Sequence, residues 1–152
     1  MSLPSDVIHA LQGKTLATAE SCTGGLIGGE LTSVGGSSKV YKGGIISYWS
    51  QIKEQLLRVD GETLAKLGPV SAPVAKAMAL GARNVLQADI AASVTGLAGP
   101  DGDEFGNPVG LVFIGYSDEK QTVAREYHFS GDRDSVRKQA VDAALRLILE
   151  MQ

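Results

Sequence analysis

A chain of 152 residues and 15.8 kDa has the usual length of one domain and can bury roughly 70% of the surface that its unfolded form exposes, so a single domain over residues 1–152 is expected, with no need for a disulfide or metal staple. Hydrophobic residues at 43% against 20% charged exclude intrinsic disorder, and no apolar run approaches the ~20 residues of a membrane span. Fourteen basic against seventeen acidic side chains, a net charge of −3, argue against a nucleic-acid partner, whose affinity would come from phosphate neutralisation.

The opening Met1-Ser-Leu-Pro-Ser-Asp shows no basic and apolar leader, and the one cysteine, Cys22, suits a reducing compartment, so a cytoplasmic location is expected. Residues 4–12 read as a short helix with Ser5 as its cap. A strand over 15–19 ends at Glu20-Ser-Cys-Thr-Gly-Gly25. From about Thr23 the spacing of Leu26, Ile27 and Leu31 predicts a helix that stops at Gly35-Gly36. Residues 44–48 read as a second strand, Ser50 as the cap of a helix carrying Ile52, Leu56 and Leu57, and Asp60 to Gly68 as a further turn of helix. Ser71 caps a long helix over 72–87, and 89–95 is a buried-looking strand. Gly96 to Pro108 is then a thirteen-residue loop with four glycines and two prolines, of a length usually tied to function. Residues 109–117 and 121–129 form a hairpin, and a helix from about Arg133 to Glu150 closes the chain. Helices alternating with strands, followed by one hairpin, predict a three-layer α/β/α fold on a mixed sheet of about five strands.

Several chemistries are absent at the level of spacing. Gly35-Gly-Ser-Ser-Lys39 is not a phosphate loop, Asp101 to Gly106 lacks the last ligand of a calcium loop, and His9 and His128 have no partners at zinc spacing, so neither metal nor cofactor is expected. Three constellations remain. At Glu20 to Gly25 a strand feeds a helix start. Its unpaired amides, opened by Gly24 and Gly25, could receive an anion or a developing oxyanion. Ser21 there is either a nucleophile or, with Thr23, a simple cap. Cys22 is a rival nucleophile or a small buried side chain. In Tyr48-Trp-Ser-Gln-Ile-Lys53, a lysine in a first helical turn is disfavoured as a cation, so Lys53 is either a base with a lowered pKa or a solvated surface group. Ser50 and Lys53 also match a Ser-x-x-Lys element whose companions are missing. In Ser130-Gly-Asp-Arg133, Arg133 and Arg137 stack at i, i+4 beside a helix start, which suits either a phosphate or pairing with nearby carboxylates.

Together these segments carry a resemblance. Ala19-Glu-Ser-Cys-Thr-Gly-Gly25, Tyr48-x4-Lys53, Gly68-Pro-Val-Ser71, Thr95-Gly-Leu-Ala-Gly-Pro-Asp-Gly102, Pro108-Val-Gly110 and Ser130-Gly-Asp-Arg133 follow one another in the order of the CinA C-terminal domain family, the nicotinamide-nucleotide amidohydrolases, over about residues 5–150. The resemblance implies hydrolysis of the carboxamide of nicotinamide mononucleotide to nicotinate mononucleotide and ammonia, in cytoplasmic pyridine-nucleotide salvage. Its serine, tyrosine and lysine fall on Ser21, Tyr48 and Lys53, which makes Ser50 a helix cap only. Expected substrate contacts are Thr23, Gly24, Gly25, Thr95, Gly96, Arg133 and Arg137, with a small-molecule nucleotide as ligand, a homodimer as assembly, and neither nucleic acid nor membrane as partner. Two other classes stay open from sequence: a serine amidase or esterase of different substrate, and a nucleotide-binding module without catalysis.

Overall fold

The computed structural model describes residues 2–152. Five strands, β1 (Leu16–Glu20), β2 (Tyr41–Ile46), β3 (Ile90–Gly96), β4 (Leu111–Ser117) and β5 (Thr122–His128), form one sheet in the order β2-β1-β3-β4-β5. β1 runs parallel to both β2 and β3, whereas β4 and β5 are antiparallel additions on the β3 side. Helices α1 (Leu3–Ala10), α2 (Leu26–Thr32) and α6 (Arg133–Glu150) cover one face, and α3 (Ser50–Leu57), α4 (Gly61–Leu67) and α5 (Ala72–Val85) lie on the other. This is the three-layer α/β/α arrangement on a mixed sheet, closed by the predicted hairpin.

The strands assign their side chains alternately to the two layers, as a period of two requires. Leu16, Ile90, Ala92, Val94, Val112 and Ile114 pack with Val7, Leu11, Ile27, Leu31, Val136, Ala140 and Ile148. Ala17, Ala19 and Ala91 pack with Leu57, Leu64, Val74, Met78 and Ala82 on the opposite face. The small side chains on that second face let α5 lie close to the sheet. A Cβ on Gly115 would collide with the Ala75 carbonyl, and Ser93 Oγ donates to that same carbonyl at 2.6 Å.

Four differences from expectation have a local reason. α1 begins earlier, because Ser2 rather than Ser5 is the cap and its hydroxyl accepts from the Ser5 amide. α2 begins only after Gly25, whose left-handed φ of 105° keeps residues 21–25 as a turn. β2 lies three residues early, at Tyr41–Ile46. It is an edge strand that alternates between half-buried and exposed, so Tyr41 and Lys42 belong to it although they do not resemble a core strand. Ser50 is the first helical residue of α3, with Trp49 at the cap and no side-chain capping bond. Ser71 caps α5 as expected, its hydroxyl accepting from the Val74 amide, and Asp60 and Asp132 cap α4 and α6 in the same way through the amides of Thr63 and Ser135.

Candidate active site

The carboxyl ends of the parallel strands, where open α/β sheets receive ligands, frame a cleft of about 350 Å³. Ser21 follows the last residue of β1, its amide donating to Val94 O on β3 at 3.0 Å. Tyr48 follows the end of β2, and Lys53 lies in the first turn of α3. Thr95 and Gly96 end β3, and the loop from Leu97 to Asp101 forms the far wall. Arg133, the first residue of α6, closes the ring.

Within the cleft Lys53 is only 1% exposed. Its Nζ donates to Ser21 Oγ at 2.9 Å, to Ser47 O at 2.6 Å and to Tyr48 O at 3.5 Å. No carboxylate pairs with it among the described residues. Burial without such a partner pushes its pKa down from 10.5 to about 8. The three neighbours match the neutral amine as well as the ammonium. Two N–H groups can face the two carbonyls, which leaves the nitrogen lone pair toward the Ser21 hydroxyl. The adjacent Cys22 is buried, and burial pushes its thiol up to about 11, the opposite of what a thiolate nucleophile needs.

Tyr48 is exposed at the mouth, where its hydroxyl accepts from Arg133 Nη2 at 3.1 Å. Arg133 Nη1 donates to Gly99 O at 2.5 Å, so one guanidinium joins the tyrosine to the glycine-rich loop. Thr95 is buried and its hydroxyl donates to Pro69 O at 2.6 Å, tying β3 to the segment before α5. Asp101, exposed to solvent, adds a carboxylate to the lining of the cleft.

Of the residues expected from sequence, Ser21, Tyr48, Lys53, Thr95, Gly96 and Arg133 line one cleft, while Thr23, Gly24, Gly25 and Arg137 do not line it. The reason is a residue that the sequence reading passed over. Glu20, 1% exposed, turns its carboxylate into the start of α2 and receives the Thr23 hydroxyl and the amides of Gly25, Ile27 and Gly28. The amides expected to meet an anion are therefore engaged from inside. The Gly24 amide donates to Ser21 O at 3.1 Å. The amides of Cys22 and Thr23 have no hydrogen bond to another described residue. Arg137 donates from Nε to Cys22 O at 2.9 Å and from Nη2 to Thr23 O at 3.3 Å, bracing the turn from α6. A carboxylate placed just before a glycine-rich helix start was the available signal for Glu20.

Known proteins resemble this chain over most or all of its length. The family described as the CinA C-terminal domain matches residues 2–152. The nicotinamide-nucleotide amidohydrolase PncC of Escherichia coli K12 is 42% identical over 151 residues, which cover 97% of this chain and 92% of that protein. A CinA-like protein of Geobacter sulfurreducens is 47% identical over 134 residues, covering 88% of this chain and 32% of the relative, so the chain spans about a third of the length of the CinA-like proteins it matches. Among solved structures, a CinA superfamily protein from Escherichia coli superposes with a TM-score of 0.96 at 34% identity, over 99% of this chain and 88% of that one. A competence/damage-inducible protein from Agrobacterium tumefaciens gives 0.94 at 37% identity, over 98% and 93%.

Proposed function

The chain belongs to the CinA C-terminal domain family, and from that membership we propose that it is an amidohydrolase, converting nicotinamide mononucleotide and water to nicotinate mononucleotide and ammonia. The observation that carries this reading is the 2.9 Å contact between Lys53 Nζ and Ser21 Oγ in a cleft that depresses the lysine pKa. It is the arrangement of a serine nucleophile with a lysine base. The near full-length match to an amidohydrolase of this substrate class supports it.

In the proposed reaction neutral Lys53 takes the Ser21 proton as Oγ attacks the carboxamide carbon. Lys53 rather than Tyr48 does so because its nitrogen is the one in contact with Oγ. The negative charge that develops on the carboxamide oxygen is received at the turn after Ser21, where the amide of Cys22, a residue that lines the cleft, has no hydrogen bond to another described residue. Lys53 returns its proton to the leaving nitrogen, with Tyr48 sharing the transfer at the mouth, and the C–N bond breaks to give ammonia and a Ser21 ester. Water then attacks that ester by the same route in reverse and releases the carboxylate product.

The substrate carries a cationic pyridinium ring and an anionic phosphate. The cleft answers with Asp101 and Arg133, charges of opposite sign in its lining. The proposal includes a homodimer and a place in cytoplasmic salvage, as the resemblance implies. No helix of the described residues is long and apolar enough to cross a membrane. Light scattering at twice the 15.8 kDa chain mass checks the assembly.

An ammonia-release assay on nicotinamide mononucleotide, free nicotinamide and NAD tests the activity. The mononucleotide is expected to be turned over and the other two poorly. Ser21→Ala should lose several orders of magnitude in kcat while keeping fold and nucleotide binding. Faster hydrolysis of simple amides or esters would overturn the substrate, and tight binding without turnover would overturn catalysis.

A further inference from the structure

We propose that Glu20 is a positioning residue, whose buried carboxylate holds the turn carrying Ser21 in register with Lys53. The inference rests on the reading of Ser21 as nucleophile and adds a residue that does not line the cleft.

The carboxylate receives five hydrogen bonds. Oε1 accepts from Thr23 Oγ1 at 2.8 Å, Ile27 N at 2.9 Å and Gly25 N at 3.2 Å. Oε2 accepts from Gly28 N at 3.0 Å and Thr18 Oγ1 at 3.2 Å. These donors bracket the nucleophile, with Thr18 before it on β1 and residues 23 to 28 after it. The main chain of Glu20 reaches the other side of the site. Its carbonyl accepts from Ser47 N at 2.8 Å, and the carbonyl of Ser47 holds Lys53 Nζ. One residue thus joins the turn that presents Oγ to the segment that presents Nζ.

The surroundings are built to keep this carboxylate in place. Thr18 spends its one hydroxyl proton on Glu20, so in its 2.8 Å contact with Tyr41 the tyrosine donates. Tyr41 fits there because Gly28 and Gly44 leave room. A Cβ on either would stand 2.6 or 2.7 Å from its hydroxyl oxygen. The chain Tyr41–Thr18–Glu20 draws β2, β1 and α2 together beneath the nucleophile. A carboxylate can accept all five bonds, whereas an amide of the same shape turns an NH2 group toward donors and must lose those on one oxygen.

The test compares the whole chain with Glu20→Gln and with Thr23→Val, which removes the shortest of the five bonds and keeps the charge. With nicotinamide mononucleotide, Glu20→Gln is expected to lower kcat about 100-fold, the scale of an ångström-sized misplacement, with KM unchanged. Thr23→Val should lower kcat less, also at constant KM. Circular dichroism confirms the folded state, and if Glu20→Gln does not fold, Thr23→Val decides. Labelling of Ser21 by a fluorophosphonate is followed in parallel, because it needs a positioned serine but no amide substrate. It should slow in step with kcat. A wild type that is labelled yet leaves the nucleotide intact would overturn the substrate reading alone. Equal labelling and equal kcat in all three proteins, or a rise in KM at constant kcat, would overturn the role given to Glu20.

Discussion

Lys53 is buried among three oxygen neighbours with no carboxylate beside it among the described residues, so its protonated form gives up hydration without a compensating charge. Two outcomes follow. On the proposed mechanism kcat/KM rises with pH through one ionisation near 8, the value to which burial brings this group, and Lys53→Arg is nearly as inactive as Lys53→Ala because guanidinium keeps its proton. The second concerns stability. Between pH about 8 and 10.5 the unfolded chain holds a proton here that the folded chain has released, so this group makes stability rise with pH across that window. The full shift corresponds to about 3 kcal/mol. Urea midpoints measured from pH 7.5 to 10.5 should show that rise in the wild type relative to Lys53→Met; parallel curves would refute it. The neighbouring thiol, pushed up to about 11, stays protonated at neutral pH, so Cys22→Ala should retain most activity. A dead Cys22→Ala beside an active Ser21→Ala would reverse the assignment of nucleophile. From sequence the serine, the cysteine and the lysine each had a bland alternative. Burial separated them, and burial is not a property of six adjacent letters.

At the scale of elements, α6 shows how far a local pattern reaches. Asp132 caps it, and Arg133 and Arg137 stand one turn apart. Their i, i+4 spacing suggested joint action on a phosphate. In the structure the two side chains diverge. Arg133, which lines the cleft, reaches Tyr48 Oη and Gly99 O, while Arg137, which does not, reaches the carbonyls of Cys22 and Thr23. The pair should therefore separate in kinetics. Arg133→Ala is expected to lower kcat/KM for the mononucleotide roughly ten- to hundredfold, the loss of one charge-assisted contact, and to leave the phosphate-free riboside little changed. Arg137→Ala should slow both substrates by the same factor. If Arg133→Ala also affected both equally, the phosphate would lie elsewhere. The cap at Ser71 was legible because a side chain bonding its own backbone is a local event. The early start of β2 and the late start of α2 were not. One depends on which strand ends up at the sheet edge, the other on a carboxylate from the preceding strand.

For the whole molecule, the alternation of helices and strands was enough to give three layers and a terminal hairpin. The strand order β2-β1-β3-β4-β5 was not readable, since Ala17, Ala19 and Ala91 look like poor core residues until α5 is seen resting on them. The cleft draws on segments around residues 21, 48–53, 95–101 and 133, and no short pattern says that these meet; the ordered family motifs supplied that. The absence of a charged partner for Lys53 among the described residues has one more consequence, in ionic strength. A base tuned by an ion pair drifts as salt screens its partner, whereas one tuned by lost hydration has little to screen. Raising salt from about 0.1 M to about 1 M shortens the Debye length from ~10 to ~3 Å. The midpoint of the pH–rate curve should then hold still while KM for the phosphorylated substrate climbs, so that salt loosens the grip of the cleft and leaves its proton chemistry untouched.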